Sequence, residues 1–136
     1  MAPSAARARI TVINDDPAFL ELMSVLLEED SGYEVTTLEG VELDSLDPVR
    51  QSRPDLLIVD LVMPDEQTGW RFLEAAQSDD QLREIPVIVC SADVASLHRR
   101  ADELSAIPRL EVLSKPFDID QLLGLVRRQL DAAPAR

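Results

Sequence analysis

Apolar positions along the chain follow two alternating periods: short β-branched or aliphatic runs, then stretches whose apolar residues recur every three or four positions. Residues 9–14 (RITVIN), 33–38 (YEVTTL), 55–60 (DLLIVD), 86–90 (PVIVC) and 110–114 (LEVLS) read as five strands. Between them lie helical patterns. Asp16 is placed to cap a helix that has Pro17 in its first turn. The stripe Phe19, Leu22, Met23 and Leu26 follows, flanked by Leu20 and Leu27 and ended by Glu28-Glu29-Asp30 and Gly32. Pro48 allows only a short second helix, Asp47–Ser52, within the weakly patterned stretch 41–53. A third helix runs from about Thr68 to Gln77, and Val94, Leu97, Ala101 and Leu104 mark a fourth that Pro108 stops. The fifth carries Ile119, Leu122, Leu123, Val126 and Leu130, with Arg127 and Arg128 placed where a helix C-terminus favours cations. Five strands alternating with five helices imply an α/β domain: a parallel sheet covered on both faces, with the LLIV and VIV runs in its middle.

A chain of 136 residues holds one domain of this kind. Its 46% hydrophobic and 29% charged residues exclude the disordered, collagenous and membrane classes. Thirteen basic against 26 acidic residues give a net charge of -13, which disfavours direct binding to nucleic acid or anionic lipid. No apolar run is long enough to insert in a membrane, and MAPSAARA lacks the apolar stretch of a signal peptide, so a cytoplasmic protein is expected. Cys90 is the only cysteine, which excludes an intrachain disulfide and a thiolate metal cluster. Any metal must be held mostly by oxygen.

The chemistry gathers where strands end. Asn14-Asp15-Asp16 follows the first strand and Asp60 the third, while Ser91 ends the fourth and Lys115 follows the fifth. In an open α/β sheet these carboxyl ends border the ligand cleft. Acids crowded there raise each other's pKa unless a cation compensates them, and Mg2+ suits one or two carboxylates plus waters and phosphate oxygens. A hydroxyl at Ser91 and an ammonium at Lys115 would serve the remaining phosphoryl oxygens. Other residues carry structural expectations: Asp16 as a cap, Cys90 as a buried small hydrophobe, Trp70 as packing at the start of the third helix, His98 as a surface residue. Arg99-Arg100 and Arg127-Arg128 are expected on solvated helix faces.

Four motifs, ITVINDDP (10–17), PDLLIVDLVMP (54–64), IPVIVCSAD (85–93) and LSKPF (113–117), appear in order, and in them the chain resembles the receiver domain of two-component response regulators. The likeness covers residues 9–131, leaving 1–8 and 132–136 as tails of a stand-alone receiver. It implies a flavodoxin-like (βα)5 sheet in the order 2-1-3-4-5 and a cis Lys115-Pro116 bond. Asp60 would accept a phosphoryl group from a histidine kinase or phosphotransfer protein. Asp15, Asp60 and the backbone carbonyl of Val62 would hold Mg2+, and Ser91 and Lys115 would bind the phosphoryl group. The signal would pass to an unknown downstream protein, or into a phosphorylation-dependent homodimer, through the face of the fourth helix, fifth strand and fifth helix (α4-β5-α5).

The chain departs from the pattern at several points. Asn14 stands where the family has its first metal-side acid, leaving an amide oxygen to reach the ion through water. Val112 replaces the aromatic that swings inward on activation. The loop from Asp60 to Gly69 reads as one residue longer, and Ile107-Pro108 replaces the usual approach to the fifth strand. Alternatives are a pseudo-receiver that works unphosphorylated and a phosphohydrolase with an aspartyl-phosphate intermediate. The second needs an acid two residues after Asp60, where Val62 stands, so no enzyme acting on external substrates is expected. Val62 also predicts a long-lived phosphoryl group, against which Asp93 could act by holding a water.

Overall fold

The computed structural model of the protein describes residues 7–29, 31–40, 45–62 and 65–132. Five strands, β1 (Arg9–Asn14), β2 (Glu34–Glu39), β3 (Leu56–Val59), β4 (Val87–Ser91) and β5 (Leu110–Ser114), pair in parallel in the order β2-β1-β3-β4-β5. The crossovers contain α1 (Pro17–Ser24), α2 (Asp47–Ser52), α3 (Glu66–Ser78), α4 in two segments (Val94–Arg99 and Ala101–Ser105), and α5 (Ile119–Ala132) follows β5. This is the expected doubly wound α/β fold. Most of the expected tails, and Met63-Pro64 of the loop expected to be longer, lie outside the described residues.

The central strands look uniformly apolar in sequence because both of their faces are buried, yet their side chains still alternate with period two. Ile10, Val12, Leu56, Ile58, Ile88 and Cys90 pack with Leu20, Met23 and Leu27 of the first helical segment and with Leu122 and Val126 of α5. Ile13, Leu57, Val59, Val87 and Val89 pack on the opposite face with Val49, Leu73, Leu97 and Leu104. One polar pin crosses this second core. Thr11 is fully buried, and its hydroxyl lies 2.6 Å from Ser52 Oγ at the end of α2. Because Ser52 donates its own proton to the Val49 carbonyl, Thr11 is the donor in that pair.

Several helical stripes differ from the expected ones. After α1 the backbone widens into a π-helical turn, Val25–Glu29, which turns both Leu26 and Leu27 inward and leaves Leu22 53% exposed. In α4 only Leu97 and Leu104 of the expected stripe are buried, Val94 and Ala101 being exposed, and the helix breaks at Arg100. In α5 the inward set is Leu122, Leu125, Val126 and Gln129, while Ile119 is exposed. The Gln129 amide donates to the Arg109 carbonyl (2.7 Å), which ties α5 to the chain entering β5. Because α5 continues to Ala132, Arg127 and Arg128 lie before its last turn and do not face its carbonyl end as expected.

The segment after β3 is tightly placed. A Cβ on Gly69, in the first turns of α3, would overlap the Leu61 carbonyl oxygen, so α3 seats directly on the backbone that follows Asp60. Gly69→Ala must push that backbone away. The expected cost is about 1–3 kcal/mol, read as a lowered midpoint in urea denaturation; an unchanged midpoint would show that α3 can shift freely.

Candidate functional site

β1 and β3 are neighbours with Ile13 opposite Val59, and the Asp60 N–H donates to the Ile13 carbonyl at 3.3 Å. The ladder therefore delivers Asn14, Asp15 and Asp60 side by side at the carboxyl edge of the sheet. Lys115 reaches the same place from the far edge: Ser114 pairs with Ser91, and the Lys115 N–H donates to the Ser91 carbonyl at 2.9 Å, just before a cis Lys115-Pro116 bond.

Asp60 is the hub. Its Oδ1 accepts the Val62 N–H (2.9 Å), while its Oδ2 accepts from Asn14 Nδ2 (3.3 Å) and lies 3.7 Å from Lys115 Nζ. The carboxylate is only 14% exposed, so these two hydrogen bonds and the ion pair replace most of its water. The Lys115 ammonium also lies over the ring of Phe19, 4.0 Å from its centroid. Ser91 is buried at the end of β4, where its Oγ accepts the Asp93 N–H (3.1 Å) and keeps its own O–H free to donate. Asp15 is partly exposed, with its Oδ1 buried.

Asn14 is buried beside Asp60. Its Oδ1 accepts the Asp16 N–H (2.9 Å), so the amide turns its nitrogen, not its oxygen, toward Asp60. It acts here as a donor to Asp60. Among the described residues no group of three or more His, Cys, Asp or Glu side chains is arranged around a metal position. Two carboxylates, Asp15 and Asp60, with the Val62 carbonyl are nonetheless the kind and number of hard oxygens that Mg2+ takes from a protein. The donor set fits that ion by type.

The other expected residues fall away from this hub. Val112 faces out of β5 opposite Val89, 42% exposed, in a cleft it shares with Val94, Leu97 and Leu104. Asp93 caps α4, accepting from Ser96 N (3.0 Å) and Ser96 Oγ (2.9 Å), bonds that hold its carboxyl below the usual range. Asp16 caps α1 through the Ala18 N–H, as expected. Cys90 is buried, and burial above all pushes its thiol up to about 12, with Asp60 adding to and Lys115 opposing the shift.

Arg99 is solvated as expected, its side chain 61% exposed, whereas Arg100 is not, and both pair with an acid of α3. Glu66, the first residue of α3, accepts from Arg99 Nη2 through Oε1 (2.6 Å) and from Arg100 Nε through Oε2 (2.9 Å). Arg100 is 19% exposed, and its guanidinium lies 4.8 Å from the centroid of the Trp70 ring. This cluster joins the helix that follows the Asp60 loop to the break in α4. Sequence reasoning missed it because its partners stand 33 and 34 residues apart.

The arginine hydrogen bonds, with one from Ser96, hold the Glu66 carboxyl well below the usual range, at about 2. A depressed carboxyl stabilises the fold fully above its unfolded pKa, near 4.3, and the contribution is lost as pH falls toward 2. Glu66→Gln should therefore be less stable than the parent at pH 7, with the gap closing on acidification. Urea midpoints at pH 7, 4 and 2.5 read this; a gap independent of pH would mean that the charge of Glu66 does not matter.

The family model described as the response regulator receiver domain matches residues 10–127. Among curated relatives, the DNA-binding dual master transcriptional regulator RpaA of Synechocystis sp. is 32% identical over 132 residues, covering 93% of this chain and 52% of that protein. Protein Rrf1 of Nitratidesulfovibrio vulgaris is 33% identical over 124 residues, covering 90% of this chain and 83% of that one. The chain spans about half the length of RpaA and 65% of the response regulator DivK of Brucella anthropi. Among solved structures, the chemotaxis response regulator CheY4 of Vibrio cholerae is 28% identical with a TM-score of 0.75, covering 91% of this chain and 99% of that one.

Proposed function

The chain belongs to the response regulator receiver domain family, and we propose that it accepts a phosphoryl group on Asp60 from a histidine kinase or a phosphotransfer protein. One observation carries this reading: a largely buried carboxylate at a strand end with the ammonium of the chain's only lysine 3.7 Å away. The oxygen that attacks phosphorus would be Oδ2, the one on the Lys115 side, which must first give up its 3.3 Å contact with the Asn14 amide. As the new O–P bond forms, the bond from phosphorus to the donor's nitrogen breaks and the electron pair leaves with the donor. Lys115 and the Ser91 hydroxyl then serve the charged phosphoryl oxygens. Mg2+ on Asp15, Asp60 and the Val62 carbonyl would neutralise charge that otherwise repels a carboxylate from a phosphoryl donor.

The phosphorylated domain would act by protein contact at the α4-β5-α5 face, as a signalling module without an external substrate. No helix of the described residues is long and apolar enough to cross a membrane. With a net charge of -13, direct contact with nucleic acid by this chain is disfavoured. A second reading, a pseudo-receiver that works unphosphorylated, draws on the Asn14 amide that already satisfies Asp60 Oδ2.

Intact-mass analysis after incubation with acetyl phosphate and Mg2+ separates the two. The expected result is one added phosphoryl group, absent in Asp60→Asn and in Asp15→Ala. A parent protein that stays unmodified with both acetyl phosphate and histidine kinases would favour the pseudo-receiver.

The same assay followed over time tests how the group is lost. Hydrolysis needs a water in line with the O–P bond, and Val62 has no polar atom to hold one. Asp93, the acid that could hold a water instead, is already engaged by Ser96. Val62→Asn should therefore lose the phosphoryl group several-fold faster than the parent; equal decay would refute the role given to Val62.

A further inference from the structure

Lys115 is the only lysine in the chain, and its ammonium lies between two groups of different kind. On one side is Asp60 Oδ2 at 3.7 Å; on the other is the Phe19 ring, its centroid 4.0 Å away. We propose that Phe19 is a positioning residue for phosphoryl acceptance, its ring face holding the Lys115 ammonium at Asp60. The proposal rests on the reading of Asp60 as the acceptor.

A lysine is a point charge on a flexible four-carbon stem and does not hold itself in place. Its backbone is fixed here by the Ser91 carbonyl, but the ion pair at its tip is long and the carboxylate already accepts two hydrogen bonds. The ring supplies the missing restraint, since the face of an aromatic side chain attracts a cation within about 6 Å. It does so without a formal charge. A second carboxylate could also hold the ammonium, but it would repel an incoming phosphoryl group; the ring does not.

The placement of Phe19 follows from the local fold. Asp16 caps α1 and Pro17 opens it, so Phe19 falls in the first turn, directly after the Asn14-Asp15 segment that borders Asp60. Its ring is half-buried against the core formed with α5. Packing alone would place any large apolar residue there, whereas holding the ammonium requires an aromatic face.

Selective 13C labelling of lysine gives a single set of side-chain signals, all from Lys115. In the parent and in Phe19→Tyr, ring current should move the Lys115 ε-methylene protons upfield of their position in free lysine. In Phe19→Leu and Phe19→Met, two apolar replacements of which at least one should retain the fold by far-UV circular dichroism, the shift should be lost. Labelling by acetyl phosphate, read by intact mass, should fall several-fold in maximal rate in the Leu and Met variants and stay near the parent in Tyr. An unshifted parent signal overturns the contact. A lost shift with parental labelling, or a Tyr variant as slow as Leu, overturns the positioning role. A shifted parent signal with no labelling of the parent or of any variant overturns the acceptor reading and the positioning role with it, while the ring contact stands.

Discussion

A carboxylate that is mostly out of water must have its charge met by the protein, and Asp60 is the group on which this requirement falls. Its donors come from three places: its own turn through Val62 N–H, the end of β1 through Asn14, and the far edge of the sheet through Lys115. None of these is local to β3 except the first. The parallel ladder makes the meeting possible, because Asp60 continues the β1–β3 pairing and Lys115 continues the β4–β5 pairing through the Ser91 carbonyl. A phosphoryl group on Asp60 would change the charge at a point where these strands are electrostatically joined.

Substitutions at this edge alter the compensation without changing the fold. Asn14 contributes a neutral donor where the family has an acid, so Asp60 is satisfied in part by an amide. Val62, two residues after Asp60, has no polar atom in its side chain, and Asp93 is engaged in capping α4. Val112 contributes no ring to the α4-β5 cleft, and the aromatic contact close to the hub is instead made on the α1 side, by Phe19.

A second electrostatic knot lies along the path from the Asp60 loop to α4. Glu66 begins α3, whose Gly69 seats against the Leu61 carbonyl, and it accepts from both arginines at the break in α4. α3 is thus tied to α4 through a bidentate carboxylate and a Trp70-stacked guanidinium.

The sequence by itself determined the five strands, the short helix Asp47–Ser52, the Asp16 cap and the convergence of Asp60 and Lys115. These follow from local periodicity, capping and strand-end chemistry, which act between residues close along the chain. The strand order came from resemblance, and the structure has it. Only the tertiary structure decided which way Asn14 turns its amide, because that depends on the Asp16 N–H and on Asp60 together. It also decided that Leu22, in α1 just before the π-helical turn, faces solvent, that Arg99 and Arg100 pair with Glu66, and that Phe19 faces Lys115 across 96 positions of chain. The Asn14–Asp60, Arg–Glu66 and Phe19–Lys115 contacts join segments far apart in sequence, and periodicity does not name what covers an element.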